Sequence, residues 1–371
     1  MKLNLAMVVD ALIVSGGAER VLEASLEVFP HAPIYSLVYL PAVFTESLIS
    51  QKEIYTSFID RLPFAHTNYR NYIFLLPLAI EQFDLRRYDI LLSFNYAVAH
   101  GILTRPDQLH ISYTHTPMRQ AWHQYFQFLE DARLKTGIRS IFARYILHYV
   151  RQWDFSASAR VDHYLAASRW VARGIWRAYR REAEILYPPV DIDKIKPSDE
   201  REDYFITISR QESHKKVSMV VEAFTQLGLP LVVIGKGREE ERVSKQAGEN
   251  IRILGWQPDH IVQKYLSKAR AYVMAGEEDF SIAAVEAQAA GTPVIAFGGG
   301  GVCETVIEGI TGMFYDQQNA ESLIGAVLNF IEVEKKFKPE NLLHNAALYS
   351  KERFQRELDL IVRREWEKFC A

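Results

Sequence analysis

Residues 276–297 read GEEDFSIAAVEAQAAGTPVIAF: acids stand at Glu277, Glu278 and Asp279, then an almost wholly apolar run is interrupted by Glu286. The pattern reads as a strand (271–275), a short loop, a helix (282–290) closed by Gly291, and a further strand (293–297). A strand, a small loop and a helix start make an anion site in an α/β sheet. The backbone N–H groups of Phe280, Ser281 and Ile282, with the helix dipole, favour phosphate oxygens there. Glu278 stands before the helix and can reach past an anion to whatever the phosphate carries. Glu286 lies about 7–9 Å along the helix, which suits the step from a diphosphate to a ribose, where a carboxylate can accept from two vicinal hydroxyls. A solvent-facing Glu286 is the plain alternative, and its apolar neighbours weigh against it.

A second cluster, RQESHKK at 210–216, follows the strand YFITIS and puts Arg210 and Lys215 at a sheet's carboxyl edge. Cations there can neutralise a diphosphate leaving group; either one alone would pass for a surface charge. In the first half, SGGAER at 15–20 joins a strand to a helix, and Gly16 and Gly17 let a backbone come close to a ligand. It is neither a GxGxxG nor a P-loop sequence. His115, in YTHTPMR, ends another strand, the kind of loop where a functional histidine belongs, although lone histidines are more often structural.

The elements that must hold these residues alternate through the chain. Apolar runs at 3–9, 33–39, 89–94, 109–115 and 162–168 look like parallel strands, with helix-spaced segments such as 19–29 between them. Residues 187–204 break the pattern with prolines and charge and read as a linker. The alternation then restarts at 204–209, 231–235, 251–255, 271–275 and 293–297. At 371 residues the chain is long for one core, and two α/β domains follow, 1–190 and 191–350. Residues 351–371 form a final helix with Phe354, Leu358, Ile361, Val362 and Phe369 on one face, able to pack on either domain, packing back on the N-terminal one included.

A formal net charge of −3 argues against bulk nucleic-acid binding. The two cysteines, Cys303 and Cys370, have no metal-ligand spacing and read as reduced thiols. Asp10 interrupts the first apolar run, which is therefore a strand and not a signal peptide, and no later run approaches the roughly 20 residues of a membrane span. The expected location is the cytoplasm, with the inner face of the membrane as a place of work.

Taken together, these residues resemble glycosyltransferase family 4, retaining enzymes of the GT-B fold. The family's Glu-x7-Glu element and following Gly-Thr-Pro-Val stand here as EDFSIAAVEAQAAGTPVIA. SRQESHK resembles its Arg/Lys element, SGGAERV its glycine loop, and GGGGVCETVIEGITGMFY its downstream Gly/Glu segment. ISYTHTPMRQAW, RQWDFSASARVDHYLAAS and YPPVD are similar to a bacterial mannosyltransferase branch. The chain departs from the family where Asp279, Ser281 and Lys216 stand, positions often held by glycine.

The resemblance implies two Rossmann-like, doubly wound parallel-sheet domains facing each other across a cleft that clasps a nucleotide-sugar. Arg210 and Lys215 would stabilise the diphosphate, Glu286 the ribose and Glu278 the sugar hydroxyls. His115 would contact the sugar near the reacting carbon, Gly16 and Gly17 the diphosphate and sugar, and Gly255 and Trp256 the base. Without a protein nucleophile, front-face attack is implied, with a phosphate oxygen taking the acceptor proton. The two glutamates are then not the paired carboxylates of a hydrolase. No Asp-x-Asp motif stands where a metal-dependent transferase uses one, so no metal and no cofactor besides the donor is expected.

The implied activity is transfer of a hexose, mannose from GDP-mannose, to a glycan or polyprenyl-diphosphate-linked acceptor in surface-polysaccharide assembly. A UDP-sugar enzyme and an inactive nucleotide-sugar-binding partner are the alternatives; an oxidoreductase built on SGGAER explains nothing in the second half. Between Ala132 and Trp153 the chain carries five basic residues, no acid, and many aromatics. Arg119, Arg139 and Arg144 are the candidates for the acceptor or membrane side, against the plainer reading of a solvated helix face.

Overall fold

The computed structural model describes residues 3–198 and 200–371. The chain divides into two compact units, Met1–Pro189 with Phe354–Ala371, and Val190–Arg353. Among the described residues the first unit holds a sheet of seven strands: β1 (Leu5–Val9), β2 (Ile34–Ser36), β3 (Ile54–Thr56), β4 (Ile90–Asn95), β5 (Leu109–Thr114), β6 (His163–Ala166) and β7 (Glu184–Ile185). Their order is β3-β2-β1-β4-β5-β6-β7, and every pairing is parallel. The second unit holds β8 (Phe205–Ile208), β9 (Leu231–Ile234), β10 (Ile251–Gly255), β11 (Tyr272–Met274), β12 (Val294–Phe297) and β13 (Gly312–Tyr315), ordered β10-β9-β8-β11-β12-β13 and again all parallel. Both units are doubly wound α/β sheets.

The continuous apolar runs are the cause of this arrangement. Every residue of β1 is buried, because helices cover both faces of a parallel sheet. Side chains alternate between the two: Leu5, Met7 and Val9 enter one core, Ala6 and Val8 the other. The helix Lys351–Cys370 closes the first of these cores with Phe354, Leu358, Ile361 and Val362. The second unit packs Phe205, Val233, Val273 and Ile295 with Phe224 and Phe330. Cys303 and Cys370 form no disulfide and lie in different units.

In each sheet the strand order reverses once, between β1 and β4 and between β8 and β11. Loops leaving the carboxyl ends of such a strand pair diverge to opposite faces and leave room for a ligand. Gly16 and Gly17 follow β1, and Arg210, Lys215 and Glu278 follow β8 and β11, at these two places.

Candidate functional site

In the second unit, β8 and β11 deliver the two charged loops. Lys215 and Glu278 form an ion pair, Nζ to Oε1 2.8 Å, with side chains 17% and 18% exposed. The backbone permits this contact because residue 276 is glycine: a Cβ there would lie 2.9 Å from the carbonyl oxygen of His214 and 3.0 Å from Cα of Lys215. Beneath the acidic loop lies the glycine tract 298–301. The Gly301 N–H donates to the Glu278 carbonyl at 2.6 Å, and Phe280 packs edge-on against Tyr349, centroids 5.4 Å apart. The loop is thus pinned on both sides, and Glu278 is held by its own backbone as well as by Lys215.

Glu286 is half-buried on the helix Ile282–Ala289. Tyr272 on β11 connects it to Glu278. The Tyr272 phenol is buried, donates to the Ile208 carbonyl at 3.3 Å, and is pushed well above its ordinary range by burial and then by the charges of Glu278 and Glu286. The phenol is therefore neutral in the field of both carboxylates. Ser281 begins the helix in the left-handed region, φ 71°, and its hydroxyl turns inward to the Met274 sulfur at 3.1 Å. The hydroxyl is therefore spent on the protein and not on capping the helix. Ile282 is half-buried at the first helical position.

Arg210 is exposed just beyond β8. Its loop is laced to the one after β9: the Gln211 N–H donates to the Lys236 carbonyl at 3.0 Å, and the Gln211 side-chain amide to the Gly235 carbonyl at 2.8 Å. Gly235 has φ 126°, and a Cβ there would fall 1.9 Å from the Ser209 carbonyl oxygen. Only glycine fits that approach. Gly255 ends β10 with φ 67°, followed by Trp256, 69% exposed. A flat aromatic face presented at a strand's carboxyl end can stack on a planar ring.

In the first unit Asp10, just past β1, carries the organising role. Its Oδ2 accepts from the N–H groups of Tyr96 (2.7 Å) and Ala97 (2.9 Å), its Oδ1 from Val98 (2.6 Å) and Ala99 (2.9 Å). Burial pushes the carboxyl up and these four amides pull it back; four donors on two oxygens match the acceptor sites of the ionised form. The bond set fixes the loop after β4 to the end of β1.

His115 stands one strand over, after β5. Its ring meets Tyr113 edge-on at 5.1 Å and lies 6.4 Å from Tyr96. Burial, with Arg119 nearby, lowers its pKa to about 4, so the imidazole is neutral at pH 7. Its Nε2 is enclosed and has no hydrogen-bond partner. Val9, Ala18, Glu19, Leu22, Phe94 and His115 line a small hollow at this strand pair.

Gly17 begins the helix Gly17–Val28 and Gly16 caps it with extended backbone, φ −159°, a conformation open to any residue. A Cβ on Gly16 would sit 3.3 Å from the Glu19 carboxylate. The space at Gly16, and not its conformation, is what glycine supplies.

Arg139 and Arg144 do not share one environment. Arg139 is exposed, while half-buried Arg144 donates to Ser140 Oγ (3.1 Å) and Tyr125 OH (3.3 Å). Among the described residues one group could converge on a metal ion: His163, Glu184 and Glu365. His163 turns Nε2 to Glu184 (2.9 Å) and Nδ1 to Glu365 (3.7 Å), and Arg364 pairs with both carboxylates. Arg364 and Lys368 together match the two carboxylates, and the group clamps the C-terminal helix to β6 and β7.

Sequence reasoning overlooked Asp10, Gln211 and Tyr272. Only Asp10 carried a signal, an acid closing an apolar strand.

Residues 191–349 match the family described as glycosyl transferases group 1. An uncharacterised glycosyltransferase of Methanocaldococcus jannaschii is 24% identical over 234 residues, 62% of this chain and 64% of its own. A D-inositol 3-phosphate glycosyltransferase of Mycolicibacterium vanbaalenii is 30% identical over 92 residues, 25% of this chain and 20% of its own. The chain thus spans less than two thirds of the curated relatives it matches.

Among solved structures, Anabaena HepE in complex with UDP and glucose superposes with a TM-score of 0.73 at 14% identity, covering 97% of this chain and 99% of its own. Sucrose-phosphate synthase of Thermosynechococcus elongatus gives 0.75 at 15% identity, over 98% and 99%. The fold is GT-B. The match to the group 1 glycosyl transferases runs nearly end to end through the second unit.

Proposed function

We propose that the protein is a retaining glycosyltransferase that moves a hexose, mannose from GDP-mannose, to a glycan or lipid-linked glycan acceptor in surface-polysaccharide assembly. The observation that carries the reading is the Lys215–Glu278 pair at the strand-order reversal of a group 1 unit. A diphosphate would compete with Glu278 for Lys215, freeing the carboxylate to accept from sugar hydroxyls. Arg210 would share the charge that builds on the departing diphosphate, the step where electrostatic stabilisation counts most. Glu286 takes the ribose, and the backbone of 280–282 the phosphates. Gly255 and Trp256 take the base. In the first unit Gly16 and Gly17 are assigned to the diphosphate and sugar, and neutral His115 to the sugar near its reacting carbon. A phosphate oxygen takes the acceptor proton, and no metal or further cofactor enters.

A second reading is a UDP-sugar donor, favoured by the likeness to HepE, which was solved with UDP and glucose. Nucleotide release measured over a panel of GDP- and UDP-sugars separates the two. GDP release from GDP-mannose above all others is the expected result; release of UDP alone would overturn the mannose assignment. Tight nucleotide binding with no turnover on any donor would instead favour an inactive partner subunit. Arg210→Ala should lower kcat far more than it weakens nucleotide binding, and equal losses would remove its leaving-group role.

A further inference from the structure

The helix Ile138–Ala157 has two apolar faces, and the protein uses one. Leu147, Val150 and Ala157, with Ser140 and Asp154, are buried against the first unit. On the opposite side Ile138 (81% exposed), Ile141, Phe142, Tyr145 (70%) and Tyr149 face solvent. Their spacing sets them in one stripe of roughly 100°, running about 16 Å along the helix. Phe126 on the preceding helix Tyr125–Asp131 is a further uncovered aromatic, at 76% exposure. Side chains this large, contiguous and uncovered mark an interaction surface.

Charge decides the partner. Arg139 stands exposed on this helix, with Arg133 and Lys135 exposed just before it. The helix's one acid, Asp154, is buried. Lys135 pairs with Glu130, leaving Arg139 and Arg133 to the outer side. A second copy docking by the same stripe would bring arginines together, since the exposed acids nearby, Glu130 and Asp131, lie on the preceding helix, where Glu130 pairs with Lys135 and Asp131 accepts from Gln127. An anionic lipid surface accepts both features: aliphatic and aromatic anchors for the headgroup–acyl boundary, and phosphates for the guanidinium groups. None of the helices among the described residues is long and apolar enough to cross a membrane, so the mode is a helix lying in the interface plane.

We infer that the outer face of the 138–157 helix docks the protein on an anionic membrane, with Ile138, Ile141, Phe142, Tyr145 and Tyr149 inserted and Arg139 on the phosphates. Arg144, tied to Ser140 and Tyr125, supports the helix and is not part of the docking face. The inference does not depend on the sugar-transfer reading, since its readout is binding.

The test is sedimentation of the full chain with vesicles of phosphatidylcholine alone or mixed with phosphatidylglycerol. Wild type should bind the mixed vesicles, and added salt should weaken binding. The exposed triple change Ile141→Ser/Phe142→Ser/Tyr145→Ser should weaken partitioning by at least about tenfold, with an unchanged thermal unfolding curve. Arg139→Glu, which removes no apolar contact, should weaken it by about fivefold or more. Failure of wild type to sediment with anionic vesicles, or equal sedimentation of wild type and both variants, overturns the proposal. A lipid-free dimer that the triple change converts to monomer does so as well, by showing that a second copy covers the face.

Discussion

Lys216 and Ser281 share a conformation that neither side chain favours. Both lie in the left-handed region, φ 54° and 71°, each immediately before a helix of the second unit. These are two of the positions where the sequence replaces a glycine common in the family it resembles, and the backbone supplies the reason for that glycine. Left-handed geometry costs an L-residue roughly 1–2 kcal/mol, while glycine gives back about 0.5–1 kcal/mol through its freer unfolded chain. Lys216→Gly and Ser281→Gly should therefore each leave stability unchanged or raise it by up to about 1 kcal/mol. Valine at either position should lower it by about 2 kcal/mol or more, because β-branching fits that region worst. Urea unfolding midpoints of the isolated variants measure both. Glycine as damaging as valine would mean that the side chains, not the backbone, govern these positions. Asp279 remains half-buried beside them, its carbonyl so close to Gly301 that a Cβ there would fall 2.0 Å away.

At the scale of elements, the long strands were legible because parallel strands are buried on both faces and read as unbroken apolar runs. Three strands were not read as such: β3 and β7, short pieces at the sheet's edges, and β13, which opens on a glycine behind a glycine-rich tract. The charged loops of the second unit were legible from Arg210, Lys215 and Glu278, since charges that directly follow a buried apolar run mark where the chain leaves the sheet. The lacing between loops was not, because Asp10 bonds residues more than eighty positions away. The same holds for Asp154, which ties the 138–157 helix to Trp122 Nε1 (2.7 Å) and Tyr179 OH (2.9 Å). Burial raises the Asp154 carboxyl to about 7. Between the unfolded value near 3.8 and about 7, the unfolded chain releases this proton while the folded chain keeps it, so stability from this group falls as pH rises and levels off above 7. Buried His100, lowered to about 4, works the other way and loses stability as pH falls from about 6.5. Asp154→Asn keeps an oxygen for both donors and cannot ionise. Its stability relative to wild type should be at least about 1 kcal/mol more favourable at pH 8 than at pH 5. A difference independent of pH would mean that Asp154 does not titrate in this window.

At the scale of the molecule, the chain builds its first unit in two visits. It leaves at Pro189, completes the second unit through Arg353, and returns as the helix that supplies Phe354, Leu358, Ile361 and Val362 to the first core. The apolar face of that helix was plain in the sequence; the unit it serves was not, because spacing shows that a face must be buried and says nothing of where. The consequence is an asymmetry between fragments. Four buried side chains of this size contribute about 6–12 kcal/mol as an upper estimate, comparable with the whole stability of a domain, about 5–15 kcal/mol. Residues 1–189 alone should therefore lack a cooperative thermal transition. Residues 190–353, whose cluster around Phe205, Val233 and Phe330 lies within that span, should unfold cooperatively as an isolated fragment. Joining 354–371 to 1–189 through a flexible linker should restore the transition, and Leu358→Asp within the joined helix should abolish it again by placing a charge in the core. Calorimetry of the four fragments decides the matter. A cooperative melt of 1–189 at the midpoint of the joined form would show that the helix is an accessory to a core that stands without it.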